Sequence, residues 1–168
     1  WGQGYWRDPV TQKSLPTFNY YTPNRYLCGC VATAIAQVMR HWCEPTREVV
    51  PGAYYCWVDG VLTKKTMIGG RYDWEKMPLT REDCTDDEQR EAIGKLLFDL
   101  GVASRMQWAK SESVTFSRKA GRSLRSRFGY ASSCVFYSGI RSQNLALNRA
   151  SRSSSVGELR LSLWSPTR

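Results

Sequence analysis

Gly29-Cys30-Val31-Ala32-Thr33-Ala34-Ile35-Ala36-Gln37-Val38-Met39 is an apolar run of helical character that opens on a cysteine. Ile35, Val38, Met39 and Trp42 recur at three- and four-residue spacings, which predicts a buried stripe on one helix that Pro45 ends soon after. The small residues Ala32, Thr33, Ala34 and Ala36 fill the remaining turns and let neighbouring chain approach closely on several sides. The helix is therefore expected at the centre of the fold. A cysteine at a helix N-terminus faces unpaired backbone N–H groups and the positive end of the helix dipole, which favour thiolate over thiol. The competing reading of Cys30 is a small buried hydrophobe packed against Ile35 and Val38.

Outward from this run, the chain reads as one domain. At 168 residues a single core can bury roughly 70% of the unfolded surface. Apolar content of 42% and aromatic content of 12% place it among globular rather than disordered chains. No stretch reaches the ~18 apolar residues of a membrane span, so no membrane partner is expected. The chain begins at Trp1 without a basic segment leading into an apolar one, so any export signal is expected to have been removed or to lie outside it.

The net charge of +9 is uneven: residues 1–104 carry 12 Lys or Arg against 13 Asp or Glu, and residues 105–168 carry 12 against 2. No uniform basic stripe runs along the chain, which argues against specific nucleic-acid binding. Six cysteines, Cys28, Cys30, Cys43, Cys56, Cys84 and Cys134, could form three bridges, but a reactive Cys30 leaves an odd number. Cys28 and Cys30 are too close for an unstrained mutual disulfide. Their C-x-C pattern lacks a second pair at zinc-ligand spacing, so neither a metal nor another cofactor is expected.

Residues 1–27, rich in aromatics, Pro and Asn, read as an extended segment leading into a turn. Tyr54–Val58 and Val61–Thr63 flank Asp59-Gly60, which predicts a hairpin closed by a type I′ turn. Gly69-Gly70 separates it from Tyr72-Asp73-Trp74. Thr85 and Glu88 form a capping-box pair ahead of Ile93, Leu96, Leu97 and Leu100, with Gly101 as the helix stop. A third helix is predicted over about 114–128, with Ala120, Leu124 and Phe128 inward and Gly129 as its stop, followed by a strand at Val135-Phe136-Tyr137. From Arg141 onward Arg and Ser supply 5 and 7 of 28 residues, and only Leu159, Leu161 and Leu163 alternate as a short strand would.

The Gly29–Met39 run strongly resembles the nucleophile helix of the streptopain family of bacterial papain-like cysteine peptidases. Three further segments agree in order and spacing. Trp1-Gly2-Gln3-Gly4 is similar to the family's N-terminal segment bearing the oxyanion-hole glutamine, 27 residues before the cysteine. Tyr72-Asp73-Trp74-Glu75-Lys76-Met77-Pro78 is similar to its aromatic landmark. Ile93–Gly101 and Phe128-Gly129-Tyr130 match the elements that follow. The resemblance covers about residues 1–140 and implies a papain-like α+β fold, incomplete here, with the helical part present and most of the β-rich half absent. It implies a cysteine-type endopeptidase acting on peptide or protein substrates, with Cys30 as the nucleophile and Gln3 as the oxyanion-hole donor. Secretion or a periplasmic location in a bacterium, an inhibitory propeptide and a preference for an apolar residue before the cleaved one are implied with it. Cys28 departs from the family, which usually has threonine there.

The base is the missing part. In papain-like enzymes the histidine follows the cysteine by roughly 130 to 150 residues, and residues 160–168 contain none. The one histidine, His41, follows Cys30 by 11 positions on the same predicted helix, about 16 Å along its axis, whereas a general base must stand within about 3 Å of its proton. No catalytic histidine is therefore assigned, and His41 reads as a cation near the helix C-terminus. Residues 141–168 are expected to be an Arg/Ser-rich tail, arising from a shifted or interrupted reading frame or left disordered, and the chain is expected to be catalytically poor. The alternatives are a non-catalytic binding protein that sets basic residues such as Arg118, Lys119, Arg122, Arg125 and Arg127 against acidic surfaces, and a truncated product that folds poorly.

Overall fold

Helix α1 (Cys30–Trp42) runs through the centre of a mixed α and β fold, described by a computed structural model at residues 1–8, 11–80 and 83–130. Its inward face is Ala32, Thr33, Ile35, Ala36 and Met39. The alanines let α2 (Asp87–Ala103) pack closely along it. Val38 is only half-buried and Trp42 is 42% exposed, so the expected stripe is rotated from Val38 and Trp42 onto Ala32 and Ala36. The chain leaves the helix at Cys43, in the left-handed region at φ 51°.

Residues 1–27 are extended and then turn, as read from their composition. Strands β1 (Tyr5–Arg7) and β2 (Ser14–Pro16) form an antiparallel hairpin, followed by a single 3₁₀ turn at Pro23–Arg25. The second sheet has the order β4-β3-β5-β6. Strands β3 (Ala53–Val58) and β4 (Val61–Thr66) pair antiparallel through Asp59-Gly60, both with positive φ, as the turn dipeptide predicts. Strand β5 (Gln107–Trp108) lies parallel to β3 and antiparallel to β6 (Ser113–Val114).

Both ends of α2 correct the sequence reading. The capping box is formed by Asp86 and Gln89, one residue beyond Thr85 and Glu88: the Gln89 N–H donates to Asp86 Oδ1 at 2.8 Å and the Asp86 N–H to Gln89 Oε1 at 3.4 Å. This register frees Glu88 to meet Lys76 at 2.7 Å. Gly101 is not the stop but lies inside the helix, where a Cβ would come within 2.7 Å of the Trp108 ring. The stop is made at Arg105, with φ 55°, where the N–H groups of Arg105 and Met106 donate to the carbonyls of Val102 and Gly101 at 3.0 and 2.9 Å.

The third helix, α3, spans Ser117–Ser123 and continues into a wide π turn at Leu124–Phe128. It begins three residues later than predicted because Ser113 and Val114 are committed to the sheet opposite Trp108 and Gln107. Ala120, Leu124 and Phe128 are buried as expected, and Gly129 ends the element at φ 77°. The predicted strand at 135–137 and the tail from Arg141 lie outside the described residues.

Asp99 of α2 is fully buried and ties the core to the segment after β4. It accepts hydrogen bonds from the backbone N–H of Ile68 (2.6 Å), the N–H of Gly69 (2.9 Å) and the Tyr72 hydroxyl (2.8 Å). Burial pushes its carboxyl above the usual range while these three donors and Lys95 pull it back. Because the Gly69 and Tyr72 donors are buried with it, Asp99→Ala is expected to cost about 3 kcal/mol in urea unfolding and Tyr72→Phe about 1 kcal/mol. Gly101→Ala is expected to destabilise by about 1–3 kcal/mol. An unchanged midpoint for Gly101→Ala would contradict its close approach to Trp108.

Candidate active site

The turn ahead of α1 sets the position of Cys30. Gly29 is its N-cap, with φ 91°, and is pressed on by another part of the chain: a Cβ there would lie 2.7 Å from Met106 Cε and 2.9 Å from the Ser113 carbonyl oxygen. Only glycine fits that conformation in that space. The Gly29 carbonyl takes the first helical hydrogen bond from the Thr33 N–H at 3.1 Å. Cys30 follows as the first helical residue, and its side chain is exposed. The structure therefore disfavours the buried-hydrophobe reading, since an exposed cysteine contributes nothing to the core.

Gln3 lies in a segment tied to the same turn. The Cys28 N–H donates to the Gln3 carbonyl at 2.8 Å, and the Phe18 N–H donates to the Gly4 carbonyl at 3.1 Å. Trp1 anchors the segment from the other end, its indole N–H donating to the Pro78 carbonyl at 2.8 Å and its ring lying 6.2 Å from Phe18. The backbone of Gln3 is thus tied to Cys28, two residues before Cys30.

Thr33 escaped the sequence reading beyond its place as a small helix residue, while Cys28 was read there as a departure from the family's usual threonine; the two pack together. The Thr33 hydroxyl lies 3.1 Å from the carbonyl oxygens of both Gly2 and Gly29, so its one proton serves either. Cys28 is fully buried, with Sγ 3.3 Å from the Thr33 hydroxyl. Burial pushes the Cys28 thiol up to about 12, so it stays protonated and is no rival nucleophile. The only signal in the sequence was a hydroxyl residue one helical turn past the cysteine, in a run otherwise apolar.

His41 lies on the last turn of α1, exposed, with its ring edge-on to Trp42 at 5.1 Å. The helix is unbroken from Cys30 to Trp42, so the two functional groups stay about 16 Å apart along the axis. A shallow hollow on this C-terminal half of α1 is lined by Trp1, Gln37, Arg40, His41 and Leu79. Among the described residues no group of three or more His, Cys, Asp or Glu gathers as metal ligands, and no helix is long and apolar enough to cross a membrane.

Exposure separates the thiols. Iodoacetamide under native conditions is expected to label Cys30 well ahead of Cys28, Cys56 and Cys84, which are buried. Peptide mapping by mass spectrometry checks the order, and labelling of Cys28 at the Cys30 rate would contradict the geometry.

A sequence model of the Peptidase C10 family matches residues 11–155, reaching into the Arg/Ser-rich stretch. The thiol protease/hemagglutinin PrtT of Porphyromonas gingivalis is 35% identical over 132 residues, covering 75% of this chain and 15% of that protein. Streptopain of Streptococcus pyogenes is 26% identical over 128 residues, covering 73% of this chain and 32% of that protein. The structure of active interpain A cysteine protease from Prevotella intermedia is similar with a TM-score of 0.59 and 28% identity, over 67% of this chain and 49% of that one. The chain thus spans about half of the interpain A chain and a smaller share of the two curated relatives. With an exposed cysteine opening its central helix and a family match over most of its length, the chain belongs to the Peptidase C10 family and has the papain-like fold of its relatives.

Proposed function

We propose that this chain carries the nucleophile side of a cysteine endopeptidase site. Cys30 Sγ, as thiolate, attacks the carbonyl carbon of a peptide bond, and the Gln3 side-chain amide donates a hydrogen bond to the oxyanion that develops. A donor of this kind, held in place before charge appears, is worth roughly 3 kcal/mol in the barrier. The observation that carries the reading is the exposed Cys30 at the N-terminus of an otherwise buried helix, beside a Gln3 segment fastened by the Cys28 N–H. The names of the relatives, thiol protease, streptopain and cysteine protease, support the same chemistry. Substrates are peptides or proteins, and the existence of a solved prointerpain A fragment similar to this chain supports synthesis with a propeptide. Export from a bacterial cell is part of the same reading.

The 168 residues on their own are a poor peptidase. Their one histidine cannot reach Cys30, and a general base typically contributes about 10²–10⁴-fold. Incubation of the purified chain with a fluorogenic peptide is expected to give slow turnover, with what remains removed by Cys30→Ala and lowered by Gln3→Ala by about 10²-fold. Turnover untouched by Cys30→Ala would contradict the nucleophile assignment. Rapid turnover abolished by Cys30→Ala would keep the nucleophile but contradict the lack of a base.

A further inference from the structure

Cations from three separate elements gather around Tyr54 of β3, and a fourth, Lys119, adds its charge near Cys56 two residues on. Lys65 of β4 stands directly opposite Tyr54 of β3, so the two side chains share a face of the sheet. Arg105, in the turn that ends α2, and Arg127, in the wide turn after α3, hold their guanidinium carbons 5.8 and 5.3 Å from the Tyr54 ring centroid. Lys119 comes in from α3, its ammonium 5.4 Å from the centroid of the Phe116 ring. The Cys56 thiol beneath them is lifted by burial to about 11, with the Lys65, Arg105 and Lys119 charges pulling the other way. Lys65, Lys119, Arg127 and Tyr54 are all half-buried, which strengthens the field they share.

Among the described residues no acid pairs with this group: the pairs seen are Lys76 with Asp73 and Glu88, and Arg90 with Asp87. The donors are also under-used. Arg127 Nε donates to the Tyr54 hydroxyl, so the phenol proton and the terminal nitrogens of Arg127 have no acceptor among the described residues. Four like charges gathered from distant positions, with free donors beside them, call for an anion of more than one charge. A guanidinium fork and a hydroxyl suit the several oxygens of a phosphoryl group better than a single carboxylate, which would neutralise only one cation.

We propose that the cluster formed by Tyr54, Lys65, Arg105, Lys119 and Arg127 is a binding site for a phosphate-class oxyanion. Arg127 and the Tyr54 hydroxyl are its direct donors, and Lys65, Arg105 and Lys119 supply charge. The site is separate from Cys30 and does not depend on the peptidase reading.

The full chain is titrated calorimetrically with inorganic phosphate and, separately, with O-phosphoserine, at ionic strength held constant with sodium chloride. Saturable binding is expected, weakened about tenfold by Arg127→Gln and by Lys65→Gln and unchanged by Lys13→Gln in the N-terminal hairpin. Tighter binding of O-phosphoserine identifies a phosphoryl group carried on a larger molecule, and tighter binding of phosphate identifies the free ion. Circular dichroism monitors folding, and if Arg127→Gln unfolds the chain, Lys65→Gln decides alone. No saturable binding above the chloride control, or an equal loss in Lys13→Gln, overturns the proposal.

Discussion

The backbone at Gly29 is the constraint on which the rest of the site depends. Residues far apart in the chain meet there: Met106 and the Ser113 carbonyl leave no room for a side chain, while the N-terminal segment is fastened through the Cys28 N–H and the Thr33 hydroxyl. The start of α1 is therefore fixed from two sides by tertiary contacts. Cys30 inherits its position from that turn and needs no packing of its own side chain, which is why it can be both well placed and exposed. The same contacts leave Cys28 buried and inert, so two cysteines one residue apart have opposite characters.

This division has a chemical consequence. A thiol attack needs a nucleophile, a stabilised oxyanion and a proton acceptor, and in the proposed reading the first two are supplied by Cys30 and the Gln3 segment beside its turn. The proton acceptor must approach from elsewhere, because a residue on α1 itself travels away from Cys30 with each helical turn. His41 illustrates the limit: the straightness that makes α1 a good platform also keeps its histidine out of reach.

Much of this was legible because local chemistry and tertiary demand agree. The Asp59-Gly60 hairpin, the start of α1 at Cys30 and the inward set Ala120, Leu124 and Phe128 could be read directly, since turn dihedrals and helical spacing act over a few residues. The misreadings have a common physical source. Gly101 resembled a helix stop, but glycine is also what a close helix-to-tryptophan contact requires, and one sequence cannot separate those uses. Arg105 takes the stop in its place, in a left-handed conformation that its type does not advertise. Trp42 fitted the apolar spacing yet faces outward because the buried face of the helix is set by Ala32, Ile35, Ala36 and Met39. The Thr33–Gly2, Asp99–Ile68, Asp99–Tyr72 and Arg127–Tyr54 hydrogen bonds join positions 27 to 73 residues apart, which no local pattern encodes.

The central claim is that the Gln3 segment and the turn before Cys30 form one fixed unit. Amide hydrogen exchange at Cys28, followed residue by residue by NMR on the full chain, tests it most directly. The hydrogen bond to the Gln3 carbonyl predicts an amide protected as strongly as those inside α1, with protection lost when residues 1–4 are deleted. Exchange at Cys28 as fast as in an exposed loop would contradict the account.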